Sequence, residues 1–101
     1  MTKTTSTSEI IAANTAYLAC KETICAELGG EISILNLKTG VYFTLNPVAA
    51  TVWRQISTPT TLPQLQELVV SKFEVTTEQC QNDLVKLLER LLAEQLVEIV
   101  H

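Results

Sequence analysis

Hydrophobic and polar residues alternate along the first half of the chain with the period of two that is typical of strands. Ile24, Ala26 and Leu28 alternate with Thr, Cys and Glu, which predicts a first strand. Gly29-Gly30 follows as a two-residue turn that tolerates positive φ and joins twisted strands. Residues 31–37 (EISILNL) are apolar and β-branched enough for a central strand. These segments together predict a β-hairpin.

A second hairpin is predicted directly after the first. Residues 38–40 (KTG) form a three-residue loop with glycine at the left-handed bulge position. The third strand places Val41, Phe43 and Leu45 on one face and Tyr42 and Thr44 on the other. A further short strand is expected at 16–20, and a short extended piece at 96–100. The first half of the chain therefore predicts a three-stranded antiparallel meander.

From residue 46 the period changes to that of helices. Asn46-Pro47 is a helix start, because asparagine caps free amides and proline at the first helical position loses no hydrogen bond. Thr61 with Gln64, and Thr76 with Gln79, fit capping boxes for a second helix and for a third that ends near residue 94. The apolar stripes are Val48, Ala49, Val52, Trp53 and Ile56; Leu62, Leu65, Leu68, Val69 and Phe73; and Cys80, Leu84, Leu87, Leu88, Leu91 and Leu92. The predicted class is α+β, a three-stranded meander followed by a three-helix bundle, as in a winged helix-turn-helix.

Length and charge narrow the class of protein. The chain has 101 residues, 47% of them hydrophobic, which predicts one globular domain at 15–101 behind a flexible polar tail at 1–14. Seven basic residues against a net charge of −4 argue against a nucleic-acid partner. No apolar run of membrane-spanning length and no secretory signal are evident, so we expect a cytoplasmic protein without a membrane partner.

The side chains that chemistry needs are scarce. Three cysteines without a CxxC pair, and a single histidine at 101, predict no metal site and no cofactor. Cys25 and Cys80 are expected to be buried, because free cysteine is among the most buried residue types. No phosphate-binding glycine motif and no nucleophile with an activating histidine occur. The chain is therefore expected not to be an enzyme.

The third strand is a candidate binding element. It ends the meander and carries neither proline nor charge, so its edge either accepts an added peptide strand or is hidden by a helix or by the C-terminal segment. The third helix supplies a possible second wall, because residues at steps of three and four share a face. The same pattern leaves Leu87 and Leu91 open to a place in the core.

One stretch carries a family resemblance. Residues 30–48 (GEISILNLKTGVYFTLNPV) contain an apolar strand, a leucine-polar turn with glycine, an aromatic pair and Leu-Asn before the first helix. Trp53, Phe73-Glu74-Val75, and the leucines that follow Asp83 match in the same order. This pattern, over about residues 15–100, resembles the PqqD-like family, which includes stand-alone recognition elements for ribosomally made, modified peptides. Gln95-Leu96 departs from it, since many members have Gly-Leu there.

The resemblance implies a function and a site. A member of this family is expected to hold the leader segment of a precursor peptide by strand addition and to present it to a separate tailoring enzyme, such as a radical-SAM enzyme, a leader peptidase or a cyclase. By position, the contacts are expected from Val41, Tyr42, Phe43, Thr44, Leu45, Asp83, Leu84, Lys86, Leu87, Arg90 and Leu91.

Two other functions compete with this expectation. The helical order also permits a winged-helix DNA-binding regulator, although the third helix offers Lys86 and Arg90 against four acidic residues. A structural subunit that docks on a larger enzyme is the third possibility.

Overall fold

The computed structural model describes residues 15–100, so the predicted tail at 1–14 and residue 101 lie outside the described residues. Within these described residues the chain forms two three-stranded antiparallel sheets and three helices. In chain order the elements are β1 (Ala16–Ala19), β2 (Thr23–Leu28), β3 (Glu31–Asn36), β4 (Tyr42–Leu45), α1 (Pro47–Gln55), β5 (Thr60–Thr61), α2 (Leu62–Lys72), α3 (Thr77–Ala93) and β6 (Val97–Val100).

The predicted meander is confirmed as the sheet β2-β3-β4. Gly29 and Gly30 have φ values of 61° and 86°, so both central residues of the first turn use the left-handed region in which glycine is unstrained. Gly40 has a φ of 77°, as the bulge position of the second turn requires. The turn residues thus fix the register, which aligns Ile34 with Cys25 on one side and with Phe43 on the other.

The two faces of this sheet differ in what covers them. On the inner face Ile32, Ile34 and Leu45 are buried against the helices. The opposite face, here called the outer face, carries Ile24 and Tyr42, which are 56% and 66% exposed. The alternation therefore predicted strand β2 correctly, but the apolar residues Ile24, Ala26 and Leu28 lie on the outer face and not in the core.

The expected short strand near residue 16 is β1, and the extended piece at the C-terminal end is β6. They pair antiparallel, with Tyr17 aligned to Ile99, and β5 pairs along the other side of β1. This gives a second sheet, β5-β1-β6, that the predicted meander did not contain. Its strands are short and come from distant parts of the chain, so it depends on tertiary packing more than on local pattern.

The predicted helix starts are present. The Asn46 side chain accepts from the Ala49 amide at 2.9 Å at the start of α1. At α2, Thr61 and Gln64 form the reciprocal capping box. At α3 the Thr76 hydroxyl accepts from the Gln79 amide, but the return bond of a capping box is absent from the hydrogen bonds of residues 15–100. All three helices start as predicted, but only one of the two hydrogen bonds of the predicted capping box is present at α3.

The core lies between the inner face of the meander and the apolar stripes of the helices. Its fully or almost fully buried members are Tyr17, Ile32, Ile34, Ala50, Val52, Ile56, Leu62, Leu65, Val69, Cys80, Leu84, Leu88, Leu91 and Leu96. The expectation for Cys80 is confirmed, whereas that for Cys25 is wrong, because Cys25 is exposed. Cys25 lies on β2 at the margin of the core, where its sulfur accepts from the Trp53 indole at 3.3 Å.

Candidate functional site

Strand β4 presents an edge with unpaired backbone groups. It is the last strand of the meander, and no other strand in residues 15–100 pairs along its free side. The Asn36 amide donates to the Val41 carbonyl at 2.9 Å, which makes this a hydrogen-bonded pair of the ladder. Because such pairs alternate in antiparallel sheets, Phe43 and Leu45 also direct their backbone groups toward β3. The amides and carbonyls of Tyr42 and Thr44 therefore point away from the sheet.

Helix α3 lies beside this edge. The Arg90 guanidinium carbon sits 4.9 Å from the centre of the Phe43 ring, within the range of a cation–π contact. Arg90 also approaches the Glu94 carboxylate, with 3.8 Å between Nε and Oε2, and its side chain is 65% exposed. The space between β4 and α3, here called the groove, is thus bridged by one arginine that remains largely open to solvent.

The exposed face of α3 along the groove carries charges of both signs. Asp83, Lys86 and Arg90 are exposed, and Leu87 is half-buried between them. Neither Asp83 nor Lys86 forms an ion pair with another residue in 15–100. This face, here called the helix wall, therefore offers a carboxylate, two cations and an apolar surface to a bound partner.

A cavity of about 370 Å³ lies beside the C-terminal end of β4. Its lining is formed by Asn46, Val48, Ala49, Val69, Val75, Cys80, Asp83, Leu84 and Leu87. Burial, and secondly the nearby Asp83 carboxylate, raise the pKa of the Cys80 thiol. That thiol stays protonated at neutral pH, so the cavity is largely apolar with one carboxylate among its lining residues.

The predicted site residues differ in where they lie. Tyr42 and Thr44 are at the free edge of β4, Leu45 is buried in the core, and Lys86 is exposed on the helix wall. Val41 immediately precedes β4 and is half-buried.

Phe43 and Arg90 are brought into direct contact. Asp83, Leu84 and Leu87 gather at the cavity. Leu91 is fully buried in the core, so its side chain does not reach the groove. Leu91 therefore takes the alternative place that the sequence left open for it, in the core.

The sequence pattern missed much of the cavity lining. Val48 and Ala49 come from the first turn of α1, and Val69 from the second helix. All three read as ordinary members of apolar stripes, because periodicity does not distinguish a side chain that faces a cavity from one that faces a filled core. The Asn46-Pro47 cap was the available signal, since it ties the end of β4 directly to the start of α1.

No metal centre is evident in the described part of the chain. Residues 15–100 contain no group of three or more histidine, cysteine, aspartate or glutamate side chains placed to hold an ion. Cys20 lies near Asn36, Lys38 and Gln95, and its pKa is raised because of burial and of the neighbouring Glu98 carboxylate. Its thiol is a poor nucleophile in this setting.

Comparison with known proteins decides the family. The profile of the family described as coenzyme PQQ synthesis protein D (PqqD) matches residues 31–97, a segment that contains β3, β4 and all three helices. The chain belongs to the PqqD family. No curated protein sequence matches it.

Two solved structures share the fold of this PqqD-family chain. One is described as TbiB1 in complex with the TbiA(beta) leader peptide, and it matches with a TM-score of 0.74 and 22% identity over 80% of this chain and 94% of that one. The other is described as lasso peptide synthetase B1 complexed with the leader peptide, with a TM-score of 0.71 and 18% identity over 81% and 96% of the two chains. The α+β class with three helices is therefore confirmed.

Within residues 15–100, no helix combines the length and the apolar character that a bilayer span requires.

Proposed function

We propose that this protein binds the leader segment of a ribosomally made precursor peptide and presents it to a separate modifying enzyme. The observation that carries the proposal is the free edge of β4 beside the helix wall. Membership of the PqqD family supports it. The two structures of the same fold that hold leader peptides support it as well.

The backbone of the leader is bound by strand addition. Tyr42 and Thr44 each offer one amide and one carbonyl, so an extended peptide gains up to four backbone hydrogen bonds. These bonds require no particular leader sequence. The edge therefore supplies affinity and fixes the peptide in register.

The groove selects among leader peptides by their side chains. Alternate side chains of an added strand point inward, next to Phe43 and Leu45. A leader side chain next to Leu45 lies near the cavity and gains by burying apolar surface there. A leader side chain next to Phe43 meets the Arg90 guanidinium, which favours a carboxylate or an aromatic ring.

The protein carries out no bond-making step in this proposal. Its role is to hold the leader while the remainder of the precursor extends to the tailoring enzyme. A radical-SAM enzyme, a leader peptidase and a cyclase are the partner classes proposed from the family resemblance. The cytoplasm, where precursors are made, is the proposed location.

A docking subunit is a second candidate because of the outer face. Ile24, Leu28, Leu37 and Tyr42 are each more than half exposed and belong to the meander. Apolar side chains gathered on one surface are typical of protein contacts. A DNA-binding role is disfavoured, because Arg90, one of two cations predicted for the recognition helix, lies over Phe43 and near Glu94.

The test is a titration of the ¹⁵N-labelled full-length chain with a synthetic leader from the short precursor gene beside its own gene. A scrambled peptide of the same composition is the control. We expect amide shifts at Tyr42, Thr44 and residues 83–90 with the leader alone. Shifts confined to Ile24, Leu28 and Leu37, or no binding by a folded protein, contradict the proposal.

A further inference from the structure

A single buried side chain joins the two sides of the groove. Asn36 is the last residue of β3 and is 1% exposed. Its Nδ2 donates to the carbonyls of Glu94 and Gln95 at 3.0 and 3.1 Å. Its Oδ1 accepts from the amides of Lys38 and Thr39 at 2.9 and 3.3 Å. The amide group thus uses both of its donors and both of its acceptor positions.

One half of this arrangement belongs to β4. Lys38 and Thr39 form the turn between β3 and β4, and the Asn36 backbone also bonds to Val41 and Gly40. The conformation of this turn sets where β4 begins. Through its Oδ1 and backbone, Asn36 therefore fixes the strand that carries the free edge.

The other half belongs to α3. Glu94 is the C-cap of α3, and Gln95 has a φ of 59°, a left-handed conformation that is costly for a residue other than glycine. The Asn36 Nδ2 accounts for two carbonyls at this helix end, which would otherwise lack intrahelical partners. Glu94 in turn lies one helical turn from Arg90. Asn36 is therefore bound to the same end of α3 that carries the Arg90–Phe43 contact.

We infer that Asn36 is a positioning residue, which sets the separation of β4 from α3 and so the width of the peptide groove. The inference rests on the proposed function. A contribution to folding alone would not require one amide to bond to both walls of the same groove. Recognition by strand addition does, because the edge amides and the helix wall must meet one peptide at once.

Asn36→Asp separates the two halves of the arrangement. A carboxylate still accepts from Lys38 and Thr39, but it cannot donate to Glu94 and Gln95. The matched control is Thr60→Val, because Thr60 is 2% exposed and its hydroxyl donates to the carbonyls of Gln55 and Thr58 at 3.1 and 2.9 Å. Both variants lose a buried donor to two carbonyls, and Thr60 lies in β5, between α1 and α2 and outside the groove.

The first measurement requires no ligand. Nuclear Overhauser contacts between the Phe43 ring and the Arg90 side chain, and residual dipolar couplings of β4 against α3, report the groove width. We expect Asn36→Asp to weaken the contacts and rotate the couplings, and Thr60→Val to leave both unchanged. Unchanged geometry in a folded Asn36→Asp protein overturns the inference, whether or not any leader binds.

The second measurement uses the synthetic leader named above, under conditions in which every variant is folded. We expect about tenfold weaker binding by Asn36→Asp and less than about a twofold change for Thr60→Val. Lowering the pH restores one donor by protonating the introduced carboxyl, so the ratio to wild type should recover. Equal losses in the two variants, or no recovery, overturn the inference; absence of wild-type binding contradicts the proposed function instead.

Discussion

The meander has two edges, and they differ in what lies beside them. Strand β2 has six residues and directs the backbone groups of Thr23, Cys25 and Glu27 outward, because Leu37 bonds to Glu22 and the ladder alternates from there. Strand β4 has four residues and directs those of Tyr42 and Thr44 outward. On length alone, β2 is the better template for an added strand.

When charge is considered, β4 is the better template for an added strand. Glu27 points to the inner side of β2, where its carboxylate accepts from Arg54 Nη2 at 2.6 Å. Inward-pointing charges are a device by which proteins protect sheet edges from unwanted pairing, and β4 carries none. A strand added at β2 meets an ion pair, whereas one added at β4 meets the helix wall and the cavity. An edge becomes a binding site through its neighbours more than through its own length.

The largest expected effect comes from proline at the two edges. Thr44→Pro removes an outward amide of β4 and leaves a leader carbonyl unpaired, which costs about 1–3 kcal/mol, or about fivefold to about 150-fold in affinity. Thr44→Ala controls for the side chain. Cys25→Pro removes an outward amide of β2 and should leave leader affinity unchanged. Isothermal titration of the folded variants checks this, and equal effects at the two edges would break the comparison.

Charge reversal should give the next largest effect. Arg90→Glu removes the contact with Phe43 and places a carboxylate beside Glu94, so we expect about fivefold weaker leader binding. Arg54→Glu makes the same change of net charge beside β2 and should leave affinity near that of wild type. Titration at two salt concentrations checks both variants. If Arg90→Glu binds as wild type does, Arg90 is not part of the site.

A smaller effect is expected when the protection of β2 is removed. Glu27→Val replaces the inward charge with a β-branched apolar residue and leaves an edge that another copy can pair with. We expect stronger concentration-dependent association than in the wild type, measured by sedimentation velocity. Glu31→Val, which removes the same charge from β3, is the control. Identical sedimentation of both variants would remove Glu27 from its protective role.

The smallest effect concerns pH. The Arg54 hydrogen bond lowers the pKa of the Glu27 carboxyl below its ordinary value, so the folded state binds fewer protons there than the unfolded chain. The pair therefore stabilises the fold above the ordinary carboxyl pKa, and the gain is lost as pH falls through the lowered one. Because both side chains are solvent-exposed, the contribution is small. Urea unfolding of wild type and Glu27→Gln should show a difference at pH 7 that shrinks on acidification.

Local chemistry made much of the fold predictable. The glycines at 29, 30 and 40 fixed the turns because each needs a positive φ. The caps at Asn46 and Thr61 fixed the helix starts. The second sheet was less accessible, because β1 pairs with β6 across most of the chain length and neither strand has a strong pattern.

The candidate site was predictable in outline. Its strand and helix follow from period and family resemblance, and the edge residues Tyr42 and Thr44 follow from the register. The role of Asn36 could not be predicted from the register, because asparagine next to a turn usually indicates only a hydrogen bond within that turn. Its bonds to Glu94 and Gln95 span almost sixty residues and depend on the packed fold.

The contact between Trp53 and Cys25 also gives the protein its own optical reporter. Trp53 is the one tryptophan in the chain, and its indole nitrogen lies 3.3 Å from a thiol sulfur. Thiols at such range quench indole fluorescence, so we expect dim emission from the native state and brighter emission once β2 leaves α1. The folding of the variants described above that keep Cys25 can thus be followed without a dye.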